Sequence, residues 1–208
     1  MTAVAQEKRC QASVGELFFE HPTKFIAALD APEGVHVEYI KGTYYVAPPA
    51  GDQHNDWALK IVFQWRTAGV EFTRIGNGYC TEPEGAEHVT GAFIPDFAIQ
   101  IRGTTPEDEA HRHAHDGWYP SDMLRLVGEI TSPSNHRIDR EEKYRTYARA
   151  MIPVYVLIDR QRQLAIAFSD PVDEGADDSH YKTEVRVKIG DVLALPDGLP
   201  PLDTSVLT

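Results

Sequence analysis

The sequence is poor in cysteine and contains no long run of apolar residues. Its two cysteines, Cys10 and Cys80, are too few for a disulfide framework and lack metal-ligand spacing, so we expect both to be free thiols. No segment approaches the roughly 18 consecutive apolar residues of a membrane span, and residues 1–11 lack the apolar run of a signal peptide. We therefore expect a soluble, cytoplasmic protein with no membrane partner.

Positive charge is also scarce. The chain has 20 Lys and Arg against 32 Asp and Glu, which gives a formal net charge of −12 at pH 7. Nonspecific attraction to nucleic acid comes from Lys and Arg that neutralise phosphates, so this composition disfavours it. A nucleic-acid contact would need a local positive surface, and the best candidate is a cluster of arginines around one expected helix: Arg137, Arg140, Arg145 and Arg149.

The length of the chain fits one large domain better than two small ones. With 208 residues, of which 42% are hydrophobic, it can bury a substantial core. We expect a leader and helix in residues 1–34, the main domain in residues 35–189, and a tail in residues 190–208 that packs on it. No internal repeat is visible.

The first half of the main domain predicts a hairpin followed by a helix. Residues 35–40 alternate as a strand does, Lys41-Gly42 is a turn signal, and residues 43–47 are rich in β-formers. Asp52 is a plausible cap for the helix that follows. The helix has one apolar stripe at i, i+3, i+4 and i+7, made by Ala58, Ile61, Val62 and Trp65.

The rest of the domain reads as strands around one further helix. Residues 102–122 are polar without periodicity and predict a mobile excursion, and residues 82–91 predict an acidic loop. Ser134 or Asn135 can start a turn, after which residues 138–151 predict a helix with a buried face formed by Tyr144, Tyr147, Ala148 and Met151. Strands are expected at residues 70–75, 79–81, 123–131, 153–159, 163–169 and 181–189.

The strand, helix and strand between residues 123 and 159 set the expected fold class. Residues 153–159 are apolar on both faces, as in a central strand. A strand–helix–strand unit of this kind predicts a right-handed crossover within a mixed sheet. We therefore expect an α/β protein with a mixed, twisted sheet flanked by helices and an N-terminal β-hairpin.

Two carboxylates interrupt apolar strands. Glu129 follows Val127-Gly128, and Asp96 follows Pro95 within an apolar run. Ionised side chains are rarely buried unless they are paired or bind a metal, so the two acids suggest a hard-cation site. The helix over residues 138–151 would bring Asp139 and Lys143 close to them. Acid, acid and lysine together are the components of a metal-dependent phosphodiesterase.

Four segments carry a resemblance to a known family. Pro95-Asp96 and residues 128–134, 139–147 and 152–159, in this order and spacing, resemble the Uma-two family of restriction-endonuclease-like proteins. That family is similar to the PD-(D/E)XK nuclease superfamily. The resemblance extends upstream to residues 37–42 and to His54, and it covers about residues 35–189. It implies a restriction-endonuclease-like core that binds Mg²⁺ or Mn²⁺ and hydrolyses phosphodiester bonds by water attack.

The resemblance also implies roles for individual residues. Asp96 and Glu129 would hold the ion through carboxylate oxygens, and the backbone carbonyl of Ile130 could complete the ligand set. Thr131 stands where the superfamily has its lysine, on the same strand face as the glutamate. Lys143 would then act from the neighbouring helix, orienting the attacking water or stabilising the charged phosphate.

Two further residues are candidates for the same site. Glu38 could add a metal contact through water, or it could be the polar face of an edge hairpin. His54 could transfer a proton or bind phosphate, or it could interact only with solvent. Asp139 and Lys143 also fit an i, i+4 pair on a solvated helix.

The leading hypothesis is a Mg²⁺- or Mn²⁺-dependent endonuclease that acts on DNA, as a homodimer because two-strand cleavage favours paired sites. The alternative is a degenerate nuclease fold that binds a protein partner, and a third reading is hydrolysis of a small phosphate ester. His111, His113 and His115 alternate in a polar segment and favour a solvated loop, although such a triplet could take up nickel or zinc.

Overall fold

The computed structural model describes residue 18 and residues 20–82, 88–132 and 136–208. Predictions for Cys10, for a turn at Ser134 or Asn135, and for residues 83–87 of the acidic loop lie outside the described residues. No helix in these ranges is both long and apolar enough to cross a membrane.

The predicted hairpin follows a short helix. A short helix, α1 (Pro22–Ala28), precedes β1 (His36–Ile40) and β2 (Thr43–Ala47), which pair antiparallel. Lys41 and Gly42 both have positive φ, +50° and +78°, as a two-residue hairpin turn requires. The hairpin prediction is therefore confirmed.

The predicted amphipathic helix is α2 (Asp52–Thr67). It buries the stripe residues Ala58, Ile61 and Trp65. Its N-cap is Gly51 rather than Asp52, and no side chain caps it. The expectation that Asp52 caps the helix is wrong, because the helix starts one residue earlier than the sequence suggested.

The remaining elements alternate strands with two helical segments. Between α2 and the next helix lie β3 (Thr73–Arg74), β4 (Tyr79–Thr81), β5 (Gly91–Phe93) and β6 (Phe97–Gln100). Helix α3 (Pro106–Ala114) is followed by β7 (Tyr119–Pro120), a 3₁₀ turn (Ser121–Met123) and β8 (Leu124–Ile130). A π-helical segment (Ile138–Lys143) runs directly into α4 (Tyr144–Arg149). The chain then forms β9 (Val154–Asp159), β10 (Leu164–Val172), β11 (His180–Lys188), β12 (Val192–Leu193), β13 (Leu202–Asp203) and a last 3₁₀ turn (Thr204–Leu207).

The strands form two larger sheets. The main sheet has the order β11-β10-β9-β8-β6-β3, and within it β8 and β9 pair parallel while the other neighbours are antiparallel. The π-helical segment and α4 connect the parallel pair, as the predicted crossover requires. The hairpin belongs to a second sheet with the order β2-β1-β5-β4-β7, and β12 pairs with β13. The α/β fold with mixed, twisted sheets flanked by helices is as predicted.

Strand β9 separates two hydrophobic clusters. Val156 and Ile158 pack with Trp65 of α2, whereas Tyr155 and Leu157 pack on the side of α4. The main sheet is thus covered on both faces, which accounts for the apolar character of β9 on both sides. Residues of the C-terminal segment, Leu193, Leu199, Leu202 and Leu207, are buried in the α2 cluster.

Three local expectations are wrong. Residues 102–122 contain α3 rather than a structureless excursion, and its first turn has a capping box in which Thr105 and Asp108 bond to each other's backbone N–H. The strand expected over residues 70–75 is limited to β3. Met151 was predicted to lie on the buried face of the helix, but it is 54% exposed and has a φ of +53°. The reason is that α4 ends at Arg149, before Met151.

Candidate active site

A cleft of about 550 Å³ lies between the N-terminus of α2, strand β1, the end of β8 and the π-helical segment. The sequence-predicted residues that line it are Glu38, His54, Asp96, Glu129, Ile130 and Lys143. Three further charged residues, Asp52, Asp139 and Arg160, line the same cleft. The structure therefore brings the predicted side chains to one place, while their chemical roles stay predictions.

The position of Asp96 depends on a close contact between two strands. Phe97 of β6 pairs with Gly128 of β8, and a Cβ atom at Gly128 would lie 1.8 Å from the Phe97 ring. Only glycine permits this approach, which places Asp96 beside the end of β8. Its Oδ2 accepts a hydrogen bond of 2.7 Å from the backbone N–H of Ile130, and its Oδ1 lies 2.9 Å from His54 Nε2.

Lys143 bridges two of the carboxylates. Its Nζ lies 3.0 Å from Glu38 Oε1 and 3.0 Å from Glu129 Oε1. Glu38 is buried and also accepts a bond of 2.7 Å from the backbone N–H of Ile94. Burial opposes the charge on Lys143, but the surrounding carboxylates, Glu129 foremost, hold its pKa well above the ordinary value. Lys143 is thus a buried, charged ammonium.

Glu129 is the most enclosed acid of the cleft, with 3% of its surface exposed. Its Oε1 accepts hydrogen bonds from Lys143 and from the Tyr147 hydroxyl. Burial raises the pKa of Glu129 well above its ordinary value, and Asp96 and Asp139 add to this shift, while Lys143 opposes it. The sequence assigned Tyr147 only to the core; its spacing of four residues from Lys143 was the signal that both point to one site.

Asp139 was expected beside Lys143 but was not included among the site residues. Its side chain is buried, and no residue that the structure describes donates a hydrogen bond to its carboxylate. Burial and the neighbouring Asp96 and Glu38 raise its pKa from 3.8 to about 7, although Lys143 opposes the shift. The reading of Asp139 and Lys143 as a solvated i, i+4 pair is wrong. The π-helical segment turns both side chains inward, and the Tyr155 hydroxyl donates a bond of 2.9 Å to the Asp139 backbone carbonyl.

The donor chemistry of the cleft fits a hard cation. The charged groups that line it are five carboxylates and two cations: Glu38, Asp52, Asp96, Glu129, Asp139, Lys143 and Arg160. Burial raises the pKa values of Glu129 and Asp139, and neighbouring acids add to both shifts. Carboxylate oxygens are the ligands that Mg²⁺ and Mn²⁺ prefer. Both oxygens of Asp96 and the Oε1 atom of Glu129 contact protein donors, so an ion bound through these atoms would replace some of these bonds.

The predicted arginines occupy different environments. Arg140 forms a paired contact with the buried Asp159, at 2.6 and 2.7 Å, so its guanidinium is already engaged by the protein. Arg137 is exposed and Arg145 is half-buried, and neither lines the cleft. Arg160, which the sequence reading missed, does line it; its guanidinium lies 5.2 Å from the centre of the Trp57 ring and donates to Gln53. It follows β9 directly, and only the tertiary fold shows that this turn borders the cleft.

Comparison with known proteins agrees with this architecture. The family model described as "Uma2: Putative restriction endonuclease" matches residues 22–207 of the chain. Among solved structures, the chain is similar to a protein from Anabaena variabilis ATCC 29413 described as "a putative nuclease belonging to DUF820", with a TM-score of 0.61 and 14% identity over 89% of this chain and 96% of that chain. At this identity the likeness shows the fold alone. Curated proteins give no match.

Proposed function

The chain belongs to the Uma2 family of restriction-endonuclease-like proteins, and from this premise we propose that it is an endonuclease that hydrolyses phosphodiester bonds in DNA with the help of Mg²⁺ or Mn²⁺. The observation that carries the proposal is the convergence of Glu38, Asp96, Glu129 and Lys143 in one cleft of a nuclease-like fold. The cleft holds the donor set that such chemistry needs.

The ligands proposed for the ion are the carboxylates of Asp96 and Glu129 and the backbone carbonyl of Ile130. When bound, a divalent ion would supply Lewis-acid polarisation of the scissile phosphate and activation of water. The hydrogen bond from the Ile130 N–H to Asp96 holds the two proposed ligand segments together, at 2.7 Å.

Lys143 is the proposed catalytic cation. Its ammonium is fixed between Glu38 and Glu129 and stays charged, so it can orient an attacking water and offset negative charge that develops on the phosphate. Tyr147 fixes Glu129 from the other side through its hydroxyl. In this arrangement Glu38 and Tyr147 are positioning residues, while Lys143 touches the reacting atoms.

The N-terminus of α2 and Arg160 supply the positive surface inside an acidic protein. Residues 51–55 at the start of this helix line the cleft, and helix N-termini favour phosphate through the backbone N–H groups and the helix dipole. His54 lies there as well and contacts Asp96. In this position His54 can bind phosphate or transfer a proton. Arg137, Arg145 and, less directly, Arg140 extend the proposed contact surface for DNA outside the cleft. Homodimer formation and a cytoplasmic location belong to the same proposal.

Cleavage assays test the proposal. Supercoiled plasmid and duplex oligonucleotides, incubated with the protein and either Mg²⁺ or Mn²⁺, should be cut, and chelator should stop the reaction. Asp96→Asn and Glu129→Gln should abolish cleavage. Glu141→Gln is the matched control, because Glu141 is exposed on the same helical segment as Lys143 and does not line the cleft. Loss of activity in the control as well, or full activity in Asp96→Asn, would refute the assignment.

One observation favours a second function. Glu38, Asp96 and Glu129 already contact Lys143, His54 or backbone N–H groups of the protein itself. This suits a degenerate nuclease fold that serves as a binding module for a protein partner. The two functions differ in Mg²⁺ binding. If the protein is a nuclease, the wild type binds Mg²⁺ and Asp96→Asn does not; if it is a binding module, neither the wild type nor Asp96→Asn binds the ion.

A further inference from the structure

A second cluster of potential ligands lies outside the cleft. Glu82 directly follows β4 and faces His111 of α3 and His115, the C-cap residue of that helix. One ligand atom from each of the three lies within 4.8 Å of the others. Among the described residues, this is the cluster of three metal-ligating side chains with such mutual reach. None of the three lines the cleft. We propose that Glu82, His111 and His115 bind a transition-metal ion, with zinc as the best-suited metal.

The hydrogen bonds of the two histidines prepare them for this role. His111 Nδ1 lies 3.2 Å from the backbone carbonyl of Trp118, and His115 Nδ1 lies 2.8 Å from that of His111. A carbonyl only accepts, so each Nδ1 carries a hydrogen, and Nε2 is the ring nitrogen left to bind a metal. Metal-ligating histidines are held in this way, with the other ring nitrogen bonded to a carbonyl or carboxylate.

Both Nε2 atoms point to the same carboxylate. His115 Nε2 lies 2.7 Å from Glu82 Oε1, and His111 Nε2 lies 3.6 Å from Glu82 Oε2. The rings stack with centroids 3.9 Å apart. A cation between the three groups would accept both Nε2 lone pairs and compensate the charge of the carboxylate.

The ligand types and spacing favour zinc over magnesium. Imidazole nitrogens suit zinc, copper and nickel, whereas magnesium prefers oxygen ligands throughout. Two histidines at i, i+4 on a helix are a known zinc-binding arrangement. Ligand atoms of tetrahedral zinc lie about 3.3 Å apart, so small side-chain rotations bring the three groups into range and leave a fourth position for water.

The framework around the cluster is rigid. The capping box of Thr105 and Asp108 fixes the start of α3, and Arg102 pairs with Asp108. At the other end, buried Trp118 packs on Gly78, where a Cβ atom would lie 2.8 Å from the indole ring. A bound ion would therefore tie α3 to the end of β4. The site differs from the triplet His111, His113 and His115 considered from the sequence, because the helix places His113 on its exposed side.

Calorimetric titration of the tag-free, chelator-treated full chain with ZnCl₂, in buffer that contains excess Mg²⁺, tests the proposal. We expect one zinc ion per chain with a Kd of about 1 μM or below. His111→Asn and His115→Asn should each weaken binding at least about 100-fold. His113→Asn is the matched control on the same helix and should bind as the wild type does, as should Glu129→Gln, which alters only the cleft.

Cobalt gives a readout that does not depend on the variants' folding. Co²⁺ bound to the wild type by two imidazoles and a carboxylate should develop visible absorption of a low-coordinate site, and added zinc should displace it. No zinc uptake by the wild type, a cobalt spectrum unchanged from that of the free aquo ion, or equal loss of binding in His113→Asn would each overturn the proposal.

Discussion

The Lys143 ammonium lies 3.0 Å from the Glu129 carboxylate, with both groups buried. The same ammonium is 3.0 Å from Glu38. One internal cation therefore compensates a cluster that also contains Asp96 and Asp139. Because these groups compensate one another inside the protein, their substitution should change stability as well as activity, and both can be measured on the same variants.

Lys143→Met should separate catalysis from ion binding. We expect the cleavage rate to fall by at least about 100-fold, since a preorganised cation near the scissile phosphate is lost. Affinity for Mg²⁺ should not fall, because the lysine contacts the carboxylates rather than the ion. In chelator the free energy of unfolding should drop by about 3 kcal/mol, since two buried carboxylates lose their partner.

Single-turnover plasmid cleavage, calorimetry and denaturant unfolding measure these three quantities. Lys60→Met is the matched control, because the Lys60 side chain is 42% exposed and pairs with Asp56 on the surface of α2. A cleavage rate in Lys143→Met equal to that of the wild type would remove Lys143 from the mechanism.

Glu129→Gln should stabilise the protein in chelator. The pKa of Glu129 is raised by burial and by the neighbouring acids, so ionising Glu129 costs more free energy in the folded protein than in the unfolded chain. Glutamine keeps an oxygen that can accept from Tyr147 and Lys143 while removing the charge. We expect a higher melting temperature in chelator and loss of the further rise that Mg²⁺ gives the wild type by mass-action linkage.

A thermal-shift series with chelator, Mg²⁺ and Mn²⁺ measures both effects, with Glu141→Gln as the exposed control. The contrary result has two parts: the melting temperature of the wild type does not change with millimolar Mg²⁺ or Mn²⁺, and Glu129→Gln melts lower than the wild type in chelator. Glu129 would then be a structural hydrogen-bonding residue, and the metal site would not exist.

Gly128→Ala should be severely destabilising. The added methyl group would lie 1.8 Å from the Phe97 ring, so β6 and β8 would have to separate. We expect a loss of about 3 kcal/mol in the free energy of unfolding, and Phe97→Leu should recover part of it as a non-additive coupling. Gly51→Ala is the control, since a methyl group there meets open space. An additive double-mutant cycle would show that the contact does not set the strand spacing.

Candidate site residues could be predicted where their neighbours in the sequence were informative by themselves. Carboxylates are costly to bury, so Asp96 and Glu129 could be identified as candidates from the apolar sequence around them. Glu129 lies inside β8 as predicted, but Asp96 directly precedes β6 rather than lying within a strand. Periodicity shows which face of a helix is buried but not what lies opposite. Tyr147 was therefore assigned to the core, although its hydroxyl meets Glu129.

Helix α3 shows a different limit. Its nine residues are mostly polar, so no apolar stripe marked it, and Thr105, Pro106 and Asp108 together were the missed N-terminal signal. Because these residues were predicted to form a loop, the pairing of His111 with His115 was also missed. On a helix, residues four apart lie on the same face, whereas a loop gives no such rule. Local capping chemistry was a better guide here than hydrophobic periodicity.

The last prediction concerns pH. Asp139 has an ordinary pKa of 3.8, but in the folded protein burial and neighbouring acids raise it to about 7. The folded state thus holds this proton more tightly than the unfolded state does. The stability that this group contributes is complete below pH 3.8 and falls as pH rises towards 7, with no further loss above it. Asp139→Asn removes the titration, so its advantage over the wild type should grow with pH.

Between about pH 5 and about pH 8, the advantage of Asp139→Asn in chelator should increase by roughly 2–3 kcal/mol, from 1.36 kcal/mol per unit of pKa difference. Urea unfolding at several pH values measures it. Glu141→Gln, an exposed acid two residues along the same helical segment, should show no such trend. A difference between Asp139→Asn and the wild type that is independent of pH would mean that Asp139 stays ionised in the folded protein. The cleft would then tolerate its full negative charge without a bound ion, and the electrostatic argument for a divalent cation would lose its basis.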